Sequence, residues 1–255
     1  MCVYKIYFSI DNIYLHYISL RVYPIYEMVK MRFNKTISGK ENKKAIIIFP
    51  HWDAKPYHYY LMTRRLSRDY CVILYNYSSD LISTNLKQTT KNFDTIMDDV
   101  NKTIDLLSDK YTSFSVVGFS IGTYLAFMIA KQNQKIEKIF SVTASSSFSD
   151  ILWNGENNKK ERMKFQRKKI SQRKTRIAWS KIAPAFNIDK IKSRVFLVLT
   201  KNDKTIPYKL GKDFAQRLEK HHIQLKTRIH KYLTHRMTIA YYITHLDPLY
   251  AYLES

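Results

Sequence analysis

At 255 residues the chain is long enough to bury a full-sized α/β core and short for two ordinary domains, so one domain is expected. An apolar fraction of 45% and a charged fraction of 25% exclude the disordered and fibrous classes, and two cysteines exclude a disulfide framework or a paired thiolate metal site. The net charge of +22 raises a polyanionic partner, but the same Lys-, Ile-, Asn- and Tyr-rich composition arises from AT-rich coding with no ligand involved.

The first thirty residues hold two aromatic and β-branched stretches, Val3–Phe8 and Ile13–Ile18, split by Asp11-Asn12, which reads as a hairpin or a peripheral extension. Lys5, Asp11, His16 and Arg21 interrupt them, so they form neither a bilayer-length apolar run nor a signal-peptide core, and a cytoplasmic protein is expected. Arg32 to Ile37 is a candidate first strand if the domain proper begins near Met31.

From Lys44 onward short apolar runs alternate with longer amphipathic ones, the pattern of a buried, mostly parallel sheet wound with helices on both faces. The expected strands are Ala45–Phe49, Cys71–Tyr75, Ser113–Val117, Ile136–Val142, Val195–Thr200 and Gln224–His230. Helices are expected at about 57–67, 84–108, 121–132, 208–220 and 236–253. Residues 145–185 depart from the alternation and read as an insertion over the sheet. No repeat or Pro/Gly-rich linker marks a second domain.

Gly118-Phe119-Ser120-Ile121-Gly122 lies between the apolar strand Phe114–Val117 and the helical run Thr123–Ala130, the strand–turn–helix setting of a nucleophile elbow. So tight a turn needs small residues two positions either side of the serine. The chain has only five glycines, where average usage would give roughly eighteen, and two of them flank Ser120. The competing reading is a glycine-containing turn whose serine caps the helix.

A serine hydroxyl needs a base to take its proton, and that base needs a buried acid to hold its tautomer. Asp203 follows the apolar strand Val195–Thr200, at the carboxyl edge where the elbow also sits; a turn aspartate or helix cap is the alternative. His235 precedes the final helical segment from a loop and is the expected base, with His230 at the strand end as its rival. The His221-His222 pair lacks helical metal-ligand spacing, and no metal or cofactor is expected.

With these three residues in the order Ser120, Asp203, His235, the chain resembles the α/β-hydrolase superfamily over roughly residues 31–255. The resemblance implies a doubly wound α/β fold with residues 145–185 as a small cap. It also implies attack by Ser120 on an acyl carbonyl with His235 as base and then acid. It assigns the oxyanion hole to the backbone amides of Ile121 and of Trp52 in the loop Pro50-His51-Trp52-Asp53. The superfamily usually carries His-Gly or Pro-Gly where this chain has Pro50-His51, and often a glycine where Thr234 precedes His235.

Between Lys159 and Arg176 lie ten Lys or Arg residues and one acid, Glu161; on one helix Met163, Ile170 and Ile177 would form a thin apolar stripe in a basic surface. That admits a solvated cap resting on the site or a cap docking on an anionic membrane surface. Nucleic acid is not expected, because no reading motif accompanies the charge. Two function classes follow. One is a serine hydrolase cleaving a carboxylic ester or related acyl bond of a small molecule, with a lipid-ester form using the basic cap. The other is a non-catalytic binding protein of the same fold. Oligomeric state and substrate identity are not readable in the sequence.

Overall fold

The structure is a computed structural model that describes residues 31–255; the hairpin expected within residues 1–30 lies outside them. Seven strands form one sheet in the order β1-β3-β2-β4-β5-β6-β7. They are β1 (Phe33–Ser38), β2 (Ala45–Phe49), β3 (Cys71–Tyr77), β4 (Phe114–Phe119), β5 (Ile136–Val142), β6 (Arg194–Thr200) and β7 (Leu225–His230). All neighbours run parallel except β1, which pairs antiparallel with β3 from Phe33↔Tyr77 to Ser38↔Val72. The sheet is therefore the mostly parallel, doubly wound α/β sheet that the alternation of apolar runs led us to expect.

Central strands are apolar without alternation because both faces are covered. Every residue of β2 is buried. One face packs on α2 (Leu86–Leu107), α3 (Gly122–Gln132) and α7 (Tyr208–Lys220), through residues such as Ile47, Phe93, Leu125 and Phe214. The other packs on α1 (Tyr60–Leu66), α8 (His235–Thr244) and α9 (Asp247–Glu254), through Ile46, Met62, Ile239 and Leu249. Phe140 and Phe196 stack beneath this second layer, ring centroids 4.9 Å apart. The segment expected as one helix over 236–253 is two. The break falls at His245, whose backbone turns extended (φ −107°, ψ 93°), and Pro248 stands in the first turn of α9, where its missing N–H costs nothing.

Between β5 and β6 the chain leaves the sheet to form α4 (Phe148–Asn154), α5 (Lys159–Arg167) and α6 (Gln172–Ala178). The single basic helix expected here is broken: Lys169 adopts a left-handed backbone, φ 53°, and Ser171 caps a new helix by accepting the Lys174 N–H. The expected Met163/Ile170/Ile177 stripe does not form. Met163 and Ile177 are exposed, while Ile170 packs on the core. Phe165 is the anchor instead, fully buried edge-on against Trp179, whose ring in turn meets Phe148. Burying an aromatic of this size is worth about 2–3 kcal/mol, which holds the basic surface of α5 in place without an amphipathic stripe. Among the described residues no helix is long and apolar enough to cross a membrane.

The strand order reverses between β2 and β4, since β3 lies to one side of that pair and β5, β6 and β7 to the other. At such a switch point the loops leaving the carboxyl ends diverge and open a crevice. The loops after β2, β4 and β6 all arrive at this rim.

Candidate active site

Ser120 is placed by close packing of backbone on backbone. A Cβ on Gly122 would lie 2.1 Å from the Phe49 carbonyl oxygen, and one on Gly118 would lie 2.7 Å from Thr123 Cα, so neither position admits a side chain without backbone movement. The serine itself is left-handed, φ 52°, a conformation costing a non-glycine residue about 1–2 kcal/mol. Its N–H donates to Val142 O of the neighbouring strand at 2.9 Å, and Gly122 opens α3 immediately after it. The strain persists because β4, β5 and α3 all fix the turn.

The three residues expected to act together do meet. His235 Nε2 lies 3.0 Å from Ser120 Oγ, and His235 Nδ1 lies 2.7 Å from Asp203 Oδ2. Asp203 Oδ1 accepts the N–H groups of Thr205 at 2.8 Å and Ile206 at 2.7 Å, so both carboxylate oxygens are engaged. Asp203 and His235 are both buried, and the loop carrying His235 hangs on β6, whose Thr200 hydroxyl donates to the Leu233 carbonyl. Thr234 caps α8 by accepting the Met237 N–H, which makes His235 its first residue. His230 is held elsewhere, its Nε2 3.0 Å from Tyr242 Oη, and takes no place at the site.

Trp52 and Ile121 border the same cavity as Ser120. Among the described residues no group accepts a hydrogen bond from either backbone amide, whereas the intervening His51 N–H is taken by Tyr59 Oη at 3.2 Å. The Trp52 indole is turned away, its Nε1 donating to Ser79 O at 3.1 Å.

The cavity encloses about 490 Å³ of empty space including its mouth. Ile82, Tyr124, Phe148, Ile151, Leu152 and Ile206 make its walls, and Asn158 and Glu161 stand at the side formed by the excursion after β5. Those wall residues were not identifiable in the sequence, since each is an ordinary apolar residue until the fold brings it beside Ser120. Electrostatics near the rim are set by burial. The His51 imidazole is held down to about 4, first by desolvation and then by the neighbouring His58 and His235. Among the described residues no three His, Cys, Asp or Glu side chains gather as a metal site.

The sequence profile of the prolyl oligopeptidase family matches residues 59–255. No curated protein sequence matches the chain. Among solved structures, the acylaminoacyl peptidase of Pyrococcus horikoshii superposes with a TM-score of 0.65 at 14% identity, covering 88% of this chain and 41% of that one. Est1E of Butyrivibrio proteoclasticus, solved with ferulic acid bound, gives 0.63 at 16% identity over 88% and 93%. A carboxylesterase of Nitrososphaera gargenis gives 0.56 at 14% identity over 88% and 94%. The chain thus spans about two fifths of the peptidase and nearly the whole length of the esterases. With the family profile matched over most of its length, the chain belongs to the prolyl oligopeptidase family of serine hydrolases, on the α/β-hydrolase fold.

Proposed function

We propose that the protein hydrolyses an acyl bond, an ester before an amide, through an acyl-enzyme on Ser120. The observation that carries this reading is the unbroken chain Ser120 Oγ, His235 Nε2, His235 Nδ1, Asp203 Oδ2, with both links within hydrogen-bond reach. His235 Nε2 takes the Ser120 proton as Oγ attacks the carbonyl carbon. The carbonyl oxygen, now an oxyanion, is held by the Trp52 and Ile121 amides. The intermediate collapses as His235 passes that proton to the leaving alkoxide or amine. Water then enters, gives its proton to His235 and attacks the acyl carbon, and breakdown returns the proton to Ser120 Oγ with release of the acid. Asp203 holds the Nδ1–H throughout and stabilises the imidazolium. All atoms come from substrate, water and these residues.

An ester is favoured over a peptide by the cavity. Its walls are apolar and offer few partners for a peptide backbone. Residues 145–185 serve as its cap, contributing Phe148, Ile151 and Leu152 to the wall, and a small apolar acyl compound is the expected substrate. The membrane-docking form is not favoured, because the amphipathic stripe it requires is interrupted at Lys169. Turnover of p-nitrophenyl acetate and butyrate, set against aminoacyl p-nitroanilides, tests the reading. Ester hydrolysis that falls by about 10⁴ or more in Ser120→Ala is expected. Preferential cleavage of the anilides would make the protein a peptidase, and identical rates in wild type and Ser120→Ala would remove the triad from the chemistry.

A further inference from the structure

The loop after β2 has no glycine at Pro50-His51, yet its Trp52 lines the Ser120 cavity. What fixes that loop is visible at one peptide group. The Pro50 carbonyl accepts a hydrogen bond from Tyr77 Oη, and the His51 N–H at the other end of the same peptide donates to Tyr59 Oη. Both tyrosines are buried, Tyr59 at 0% exposure and Tyr77 at 6%. Tyr59 enters from the turn before α1, and its ring meets Phe119, the neighbour of Ser120, edge-on at 5.3 Å. Tyr77 enters from the end of β3.

We propose that Tyr59 and Tyr77 are positioning residues that clamp the Pro50–His51 peptide at its two ends and so aim the next amide, that of Trp52, at the developing oxyanion. The inference rests on the reading of Ser120 as nucleophile. A peptide plane held by its carbonyl at one end and its N–H at the other cannot rotate, which leaves only φ and ψ of His51 between that fixed plane and the next N–H along the chain. The usual glycine lets such a loop bend; here two rigid hydroxyls impose the bend on residues that would not choose it.

The clamp also fixes the state of the His51 ring. Tyr59 Oη accepts from the His51 N–H and lies 2.9 Å from His51 Nδ1, and no other acceptor for its proton stands within reach among the described residues. The hydroxyl proton therefore goes to Nδ1, since leaving a buried donor unpaired is costly. His51 is then the Nε2–H tautomer, and burial beside two other imidazoles keeps it neutral.

The test combines kinetics with histidine NMR on the full chain. Tyr59→Phe and Tyr77→Phe should each lower kcat by about 10-fold to 100-fold with KM within about threefold, because a misaimed oxyanion donor weakens only the transition state. The double variant should fall no more than about threefold below the worse single one, since both hydroxyls hold one peptide. In ¹⁵N-histidine spectra wild-type His51 should show an unprotonated Nδ1 and a protonated Nε2 at neutral pH, and Tyr59→Phe should change that tautomer balance. Folded variants with unchanged kcat, a fully additive double, or a wild-type His51 protonated at Nδ1 would each overturn the clamp. If Tyr59→Phe does not fold, Tyr77→Phe and the wild-type spectrum still decide. A wild type that turns over no ester while showing the stated tautomer would count against the hydrolase reading and leave the clamp standing as a structural device.

Discussion

His51 illustrates how a single side chain links stability to pH. Its folded-state value near 4 lies below the ordinary 6.5, so between these values the unfolded chain binds a proton that the folded protein does not. Stability is therefore full above about pH 6.5 and falls as pH drops toward 4, by up to on the order of 3 kcal/mol. A His51→Gln variant lacks this titration. The difference in unfolding free energy between wild type and His51→Gln, measured in urea at pH 7 and pH 4.5, should shrink or reverse toward acid. A difference independent of pH would contradict the assignment of His51 as a half-buried neutral group. At this scale Ser120, Asp203 and His235 were legible in the sequence, because the chemistry demands a serine, an acid and a histidine in a fixed chain order after identifiable strands. Tyr59 and Tyr77 were not. In a chain with 20 tyrosines nothing marks these two, and their role exists only once β3 and the turn before α1 converge on Pro50.

Among elements, the turn from β4 into α3 holds opposing local demands, and substitutions there should separate them. Ser120 sits in a left-handed conformation that glycine adopts freely, so Ser120→Gly should unfold at a temperature about 2–4 °C above Ser120→Ala, the shift that about 1 kcal/mol gives a domain of this size. Gly122→Ala should go the other way, because its Cβ would fall inside the Phe49 carbonyl; a loss of several kcal/mol or failure to accumulate folded protein is expected. Thermal unfolding of the three variants checks both signs, and Ser120→Gly below Ser120→Ala would contradict the strain at the elbow. The elements themselves were largely readable. Runs such as Ala45–Phe49 and Val195–Thr200 are strands because a sheet covered on both faces leaves no polar alternation. The misreadings share a cause. The helix breaks beside the left-handed Lys169 and at the extended His245 are set by local backbone and capping chemistry that a periodic pattern spanning both sides conceals, although Pro248, in the first turn of α9, was a visible signal.

For the whole molecule, the sheet's switch point decides where chemistry can occur. The reversal of strand order between β2 and β4 opens the crevice, and the loops after β2, β4 and β6 carry Trp52, Ser120 and Asp203 to it, with His235 arriving from beyond β7. This convergence explains why residues 83 and 32 positions apart along the chain, at 120, 203 and 235, lie within one hydrogen-bonded line. The cavity wall was illegible for the same reason: Ile82, Tyr124 and Ile151 are brought together by the fold and carry no motif of their own. The basic surface of α5 and α6, conspicuous in the sequence, is anchored by Phe165 and does not form the amphipathic helix its spacing implied. If Ser120 is an activated nucleophile, a fluorophosphonate will label it covalently. Wild-type protein should acquire one adduct, mapped by mass spectrometry to the peptide containing Ser120, with labelling abolished in Ser120→Ala and slowed by orders of magnitude in His235→Ala. Folded wild-type protein that remains unlabelled, or an adduct that persists in Ser120→Ala, would contradict it.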